Sequence, residues 1–207
     1  MKKKIEIMDT TLRDGEQTSG MSFSKHEKLT ISKLLIQELK VDRIEVASAR
    51  VSEGEFQAVK SIIEWARSNN FEKKVEILTF IDNGISIDWI KRAGAKVQNL
   101  LSKGSLNHLK YQLKKTPKQH FEDIQKILLK AKEIDVDTNV YLEDWSNGMK
   151  NSKNYVFDFL DFLSNQSVKR ILLPDTLGVL NPSESYDFIN EVVIKYPEIH
   201  FDFHAHN

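Results

Sequence analysis

Asp9, Arg13, Asp14, Glu16 and Gln17 fall within the ten residues Met8-Asp9-Thr10-Thr11-Leu12-Arg13-Asp14-Gly15-Glu16-Gln17, directly after the short β-like run Ile5-Glu6-Ile7. Such a cluster at a strand end presents chemistry rather than surface. At the other end of the chain, His204 and His206 stand two apart, again at the end of a β-like run. Strand side chains alternate with period two, so both rings face the same side. Two neutral imidazoles and one carboxylate form a mixed nitrogen and oxygen site with open positions, suited to a divalent cation such as Mn, Mg, Zn or Co. Asp14 is the candidate carboxylate. The H-x-H pair alone is weak evidence, since two polar residues near a chain end need no function; its place opposite the Arg13-Asp14 turn favours the metal reading.

Both clusters hang on a backbone with one repeating pattern. Short β-rich runs alternate with helical-period segments along the whole chain, as in parallel βα units. Seven strands are predicted, near Lys4 to Met8, Arg43 to Ala47, Val75 to Phe80, Val97 to Leu101, Thr138 to Leu142, Arg170 to Leu173 and His200 to His204. Ser24-Lys25-His26-Glu27 and Ser52-Glu53-Gly54-Glu55 fit capping boxes. Apolar faces follow at Leu29, Leu35 and Leu39, and at Phe56, Val59, Ile63 and Ala66. Trp89, Ile90 and Ala93 mark a third helix closed by Gly94. Thr116-Pro117 and Asn181-Pro182 open helices that carry Phe121, Ile124, Leu128 and Ala131, and Tyr186, Ile189 and Val193, inward. Leu106, Leu109 and Leu113 predict a short extra helix. No linker or low-complexity tract marks a boundary, so one domain is expected.

Repeated βα units close into a (β/α)8 barrel or form an open doubly wound sheet. Ionisable residues collect after the strands: Arg13 and Asp14, Glu143 and Asp144, Asp175 and Thr176, His204 and His206. A barrel mouth gathers them, whereas an open sheet spreads them along a row. No Gly-rich phosphate turn follows the first strand. The fold class is therefore α/β, a TIM (β/α)8-type barrel. Within it Arg13 and Asp14 are expected to point apart, as strand neighbours do, rather than to plug the mouth as a salt bridge. Glu45 either faces the mouth or pairs with a buried base such as Arg13. A tryptophan beside Glu143 and Asp144 favours a pocket over a solvated loop. His26, His108, His120 and His200 sit in helices or alternate out of register with the site and are expected to do nothing catalytic.

Thirty basic and thirty acidic residues give zero formal charge, which offers no footprint for nucleic acid or an anionic membrane. No apolar run approaches the roughly 20 residues of a membrane helix, and with no cysteine there is no disulfide or thiol chemistry. A cytoplasmic protein with a small-molecule partner is expected.

The stretches D-T-T-L-R-D-G-E-Q and H-A-H-N resemble the metal-dependent Claisen-condensing and lyase barrels, among them the 2-isopropylmalate, homocitrate and citramalate synthases and hydroxymethylglutaryl-CoA lyase. V-A-S-A-R-V-S-E-G-E, N-L-L-S-K-G-S, V-Y-L-E-D-W-S-N-G and L-P-D-T-L-G-V-L look most like the citramalate synthase branch. The resemblance implies that Asp14, His204 and His206 hold a divalent cation that chelates a 2-oxo acid, and that Arg13 supports its keto oxygen. It implies that Thr176 holds the substrate carboxylate and that Glu143 takes a proton from acetyl-CoA, a task that demands a tuned environment for a glutamate. Leu78, Leu101 and Tyr141 match the positions that select the side chain of the 2-oxo acid. Their bulk favours pyruvate, giving (R)-citramalate for isoleucine biosynthesis, over the 2-oxoisovalerate of leucine biosynthesis, with steric exclusion supplying most of the discrimination.

A barrel of this type runs to about 250 residues, and residues 1–207 supply strands one to seven of it. The eighth strand, the linker and a regulatory domain are absent from this stretch, so a partial catalytic barrel with impaired acetyl-CoA binding is expected, and a homodimer when full length. The non-enzyme alternative is an inactive barrel that binds metal without turnover. Two-histidine-one-carboxylate iron oxygenases share the ligand set on a β-only scaffold, at odds with the βα alternation. Metal hydrolase barrels carry their H-x-H pair on the first strand.

Overall fold

The computed structural model describes residues 5–48 and 52–206. The expected strand start at Lys4, residues 49–51 of the V-A-S-A-R-V-S-E-G-E stretch and the closing Asn207 lie outside the described residues. Seven strands alternate with helices: β1 (Met8–Asp9), β2 (Arg43–Ser48), β3 (Val75–Phe80), β4 (Val97–Lys103), β5 (Asp137–Glu143), β6 (Ile171–Asp175) and β7 (Phe201–Ala205). They form one sheet in chain order, and the pairs β1–β2, β2–β3, β5–β6 and β6–β7 are parallel. Unbroken chain order with helical crossovers is the barrel topology; a doubly wound sheet reverses its order part-way. The α/β, TIM-type expectation therefore holds. β1 is much shorter than expected. Ile5 and Ile7 are exposed; the Ile7 N–H donates to the Asp42 carboxylate, and its carbonyl accepts from the Asp42 and Arg43 amides at the start of the β1–β2 pairing.

The chain divides into two compact units, the first holding the described residues through Asn99 together with Ile134–Val136, the second Leu100–Glu133 and Asp137 onward. In the first, α1 (Lys25–Lys33) opens on the expected capping box: the Ser24 hydroxyl accepts from the Glu27 amide and the Glu27 carboxylate from the Ser24 amide. Of the expected stripe, Leu35 is buried and Leu29 half-buried, while Leu39 is exposed. Lys28 and Ser32 are buried beside them, and a π-type turn over Leu34–Glu38 inserts an extra residue into the helical repeat ahead of Leu39 and turns it outward. α2 (Glu53–Ser68) buries Phe56, Val59, Ile63 and Ala66 as spaced. Its Ser52 cap accepts from the Glu55 amide, but the Glu55 carboxylate goes to Lys28 instead of closing the box. α3 (Ile85–Ala93) buries Trp89, Ile90 and Ala93 and ends on Gly94 at φ 74°, the left-handed stop.

In the second unit the extra segment is α4 (Leu106–His108) running into a π-type turn, with Leu109 as its buried anchor. α5 (Pro117–Glu133) is capped through Thr116 and Gln119. α6 (Trp145–Asn151) and α7 (Lys153–Ser164) follow β5, and Phe121 of α5 stacks on Phe162 of α7 at 4.9 Å. α8 (Pro182–Lys195) has the capping box on Asn181, yet its inward residue is Val192, with Tyr186 and Val193 exposed. The Asn181-Pro182 start fixes the rotation of the helix, and Phe188, meeting Trp145 edge-on at 6.3 Å, marks the side that faces in. Gly104, just after β4, allows backbone contact with β5: a methyl there would lie 2.5 Å from the Leu142 carbonyl oxygen. A methyl on Gly148 of α6 would overlap the Gly104 carbonyl. No helix among the described residues is long and apolar enough to cross a membrane.

Candidate metal and substrate site

After β1 the chain turns at once. The Thr10 carbonyl accepts from the amides of Arg13, Asp14 and Gly15, the Asp9 carboxylate from the Thr11 amide at 2.9 Å, and Leu12 plugs the turn inward. Arg13 and Asp14 therefore lie on a helical turn, and strand alternation does not apply. They do not point apart: Arg13 Nη1 donates to Asp14 Oδ1 at 2.7 Å, so the ion pair expected not to form is present. Arg13 is held from its other side as well, Nε donating to Glu45 Oε2 at 2.5 Å. Glu45 is fully buried, and its second oxygen accepts from Asn99 Nδ2 at 2.6 Å. Pairing with Arg13 is thus the outcome for Glu45. The next strand carries Glu76 in register with Glu45. Burial pushes the Glu76 carboxyl up, against the opposing pull of the Arg43 guanidinium at 3.1 Å.

The second unit places four strand ends. β4 ends in Lys103, whose ammonium pairs with the carboxylate of Glu143 at the end of β5. Neither the partner nor its closeness is readable from the sequence; it follows from the Gly104 approach, where the Gly104 amide bonds the Glu143 carbonyl at 2.6 Å. Lys103 is fixed at its backbone, the amide donating to His120 Nε2 at 3.2 Å and the carbonyl accepting from the Tyr155 hydroxyl at 2.7 Å. His120 is a core histidine, drawn down to about 4 by burial and then by the charge of Lys115. Asp144 turns the chain at φ 66°. Its buried carboxylate accepts from the Ser105 hydroxyl at 2.6 Å and Asn147 Nδ2 at 2.7 Å, with His108 Nε2 at 3.5 Å. It borders a cleft of about 510 Å³ lined by Ser105, Asn107, Lys110, Asn147 and Ser152. Trp145 is not a wall of that cleft; it is wholly buried against Phe188 and Phe203. At the end of β6, the Thr176 hydroxyl oxygen accepts the Asp144 amide at 2.9 Å.

On β7, His204 is in register with Pro174 of β6, and His206 follows two residues on. Their Nε2 atoms lie 2.9 Å apart, so the two rings do converge. Two nitrogens each about 2.1 Å from one cation, at roughly right angles, are about 3 Å apart. The pair therefore fits cis coordination of a divalent ion. The Tyr141 ring stands edge-on to His204 at 6.3 Å. Tyr141 is buried on β5 and Leu101 half-buried on β4, both in this unit; Leu78 is buried on β3 in the first. Of the remaining histidines, His26 is exposed and His200 pairs with Asp202 at 3.2 Å.

A family model described as HMGL-like matches residues 4–207. The chain belongs to the HMGL-like family. Among curated relatives, the 2-isopropylmalate synthase of Sulfurisphaera tokodaii is 33% identical over 99% of this chain and 51% of its own length. That of Oceanobacillus iheyensis is 31% identical over 99% of the chain and 39% of its own. The chain thus spans about two-fifths to half the length of these relatives. Among solved structures, hydroxymethylglutaryl-CoA lyase of Bacillus subtilis superimposes with a TM-score of 0.79 at 17% identity, over 99% of this chain and 69% of that one. The corresponding lyase of Pseudomonas aeruginosa gives 0.73 at 18%, over 98% of this chain and 68% of that one. At these identities the likeness speaks for the fold alone.

Proposed function

We propose that this chain carries the metal and 2-oxo-acid site of an enzyme that condenses acetyl-CoA with pyruvate to give (R)-citramalate. The observation that carries the reading is the convergent His204 and His206 pair with Tyr141 set against it. In this reading Asp14, in the first motif, is the third ligand, which would complete a two-nitrogen, one-oxygen donor set suited to Mn, Mg, Zn or Co. A divalent cation held there would supply Lewis acidity at the keto group.

The chain's own residues do the rest. Arg13, held by Glu45 and Asp14, offers a fixed guanidinium where negative charge builds on the keto oxygen, and a donor that need not reorganise is worth most in such a place. The Thr176 oxygen already accepts the Asp144 amide, so its own proton remains to be given to the substrate carboxylate. Glu143 takes a proton from the acetyl methyl group. The C–H electron pair forms the new C–C bond to the keto carbon, the keto oxygen is then protonated, and water cleaves the thioester to release CoA. Before Glu143 can act, its carboxylate must exchange the Lys103 ammonium for the substrate. In this reading the bulk of Tyr141, beside His204, and of Leu101 and Leu78 disfavours a branched side chain on the 2-oxo acid. Under this reading the enzyme is a cytoplasmic homodimer.

A second reading, condensation with 2-oxoisovalerate to 2-isopropylmalate, is favoured by the names of the relatives at 31–33% identity. Turnover of the full-length protein on the two acids tests both. Faster turnover of pyruvate is expected; a preference for the branched acid overturns the pyruvate assignment, and no CoA release with either overturns the condensation.

A further inference from the structure

Lys28 is wholly buried on α1, a costly place for an ammonium that a methionine of similar length would fill without desolvating a charge. Its three N–H donors have three acceptors: Glu16 Oε2 at 2.5 Å, and Glu55 Oε1 and Oε2 at 2.6 and 2.8 Å. Each glutamate is tied elsewhere. Glu16 Oε1 accepts the Phe23 amide at 2.9 Å, closing the loop that leads into α1. Glu55 sits in the first turn of α2, its amide on the Ser52 hydroxyl at 3.1 Å. Glu16 also belongs to the short 3-10 turn Gly15–Gln17, where the Gln17 amide bonds the Asp14 carbonyl at 3.0 Å. One buried cation thus fastens the segment bearing Arg13 and Asp14 to two helices. A partly buried carboxylate pair with no cation between its members would separate by mutual repulsion.

We infer that Lys28 is a positioning residue for Asp14 and Arg13, an inference that rests on the cation reading above. Its three N–H donors are all spent on Glu16 and Glu55, so it acts through them. The test compares the wild-type chain with Lys28→Met and, should that variant not fold, with Glu55→Gln, which leaves the Lys28–Glu16 pair in place. Mn²⁺ affinity, from the free-ion magnetic-resonance signal, and amide exchange by mass spectrometry are measured together. Lys28→Met is expected to weaken Mn²⁺ binding at least tenfold and to speed exchange across residues 10–17 at least tenfold, with β3 exchanging as in wild type; Glu55→Gln shifts both in the same direction by a smaller factor. Unchanged exchange at 10–17 overturns the inference. Faster exchange with unchanged Mn²⁺ affinity also overturns it, reducing Lys28 to a structural rivet. Should wild type bind no Mn²⁺, the cation reading fails on its own, and the exchange comparison still decides whether Lys28 orders the segment.

Discussion

Glu45→Gln removes the charge from a fully buried carboxylate whose two oxygens have separate donors, Arg13 Nε at 2.5 Å and Asn99 Nδ2 at 2.6 Å. Glutamine supplies one acceptor. Its amide group must then face a donor, either the guanidinium or the Asn99 amide, so one buried hydrogen bond becomes a donor–donor contact. Breaking a buried ion pair from one side costs about 3–5 kcal/mol. Arg13 is 10% exposed at its side chain and keeps Asp14 at 2.7 Å, which places the cost at the low end, about 3 kcal/mol. For a chain of this size that lowers Tm by roughly 6–12 °C. Thermal and urea unfolding of Glu45→Gln, Arg13→Met and the double variant Arg13→Met/Glu45→Gln read it directly. Because the penalty lies in the unmatched partner, the double variant is expected to lose less than the sum of two single losses. A loss under about 1 kcal/mol in Glu45→Gln, or strict additivity in the cycle, rules out a coupled buried pair.

His120 is drawn from 6.5 to about 4 by burial, so the unfolded chain binds the proton the folded one refuses. Its contribution is complete above pH 6.5 and is lost as pH falls towards 4, amounting to roughly 3 kcal/mol; urea midpoints of wild type and His120→Leu should converge over that window, and parallel curves contradict the buried neutral ring. Gly148→Ala forces a methyl onto the Gly104 carbonyl and should cost about 1–3 kcal/mol, with Lys103 and Glu143 displaced as Gly104 moves; equal stability in urea refutes the backbone contact.

The barrel topology was legible because each strand is a short β-rich run and each helix has its own start signal, and Ser24, Gly94 and Asn181 do cap or close helices as their types suggest. The His204 and His206 pairing was legible for a simpler reason: both sit at one strand end, where period two holds. The same rule failed for Arg13 and Asp14, since the strand stops at Asp9 and the residues beyond it wind into a turn closed on the Thr10 carbonyl. Helical spacing fails at Leu39, which lies beyond a π-type turn that has no sequence mark. The partners that hold the site, Glu45 to Arg13 across 32 positions and Lys103 to Glu143 across 40, are products of strand neighbourhood and close glycine contact. Local sequence carries neither. Lys28 is the clearest instance, a helical lysine that reads as surface and is wholly buried.

Everything proposed for the reaction depends on Asp14, His204 and His206 holding one divalent cation. Titration of the 207-residue chain with Mn²⁺, followed by magnetic resonance of the free ion, tests it in wild type, Asp14→Ala, His204→Ala and His206→Ala. One ion bound per wild-type chain, with the site lost or its affinity lowered at least a hundredfold in each variant, is the predicted result. Two histidine rings 2.9 Å apart that merely share a hydrogen bond would leave wild type without a Mn²⁺ site, or with one that the histidine variants retain, and either result contradicts a cation shared by the three residues.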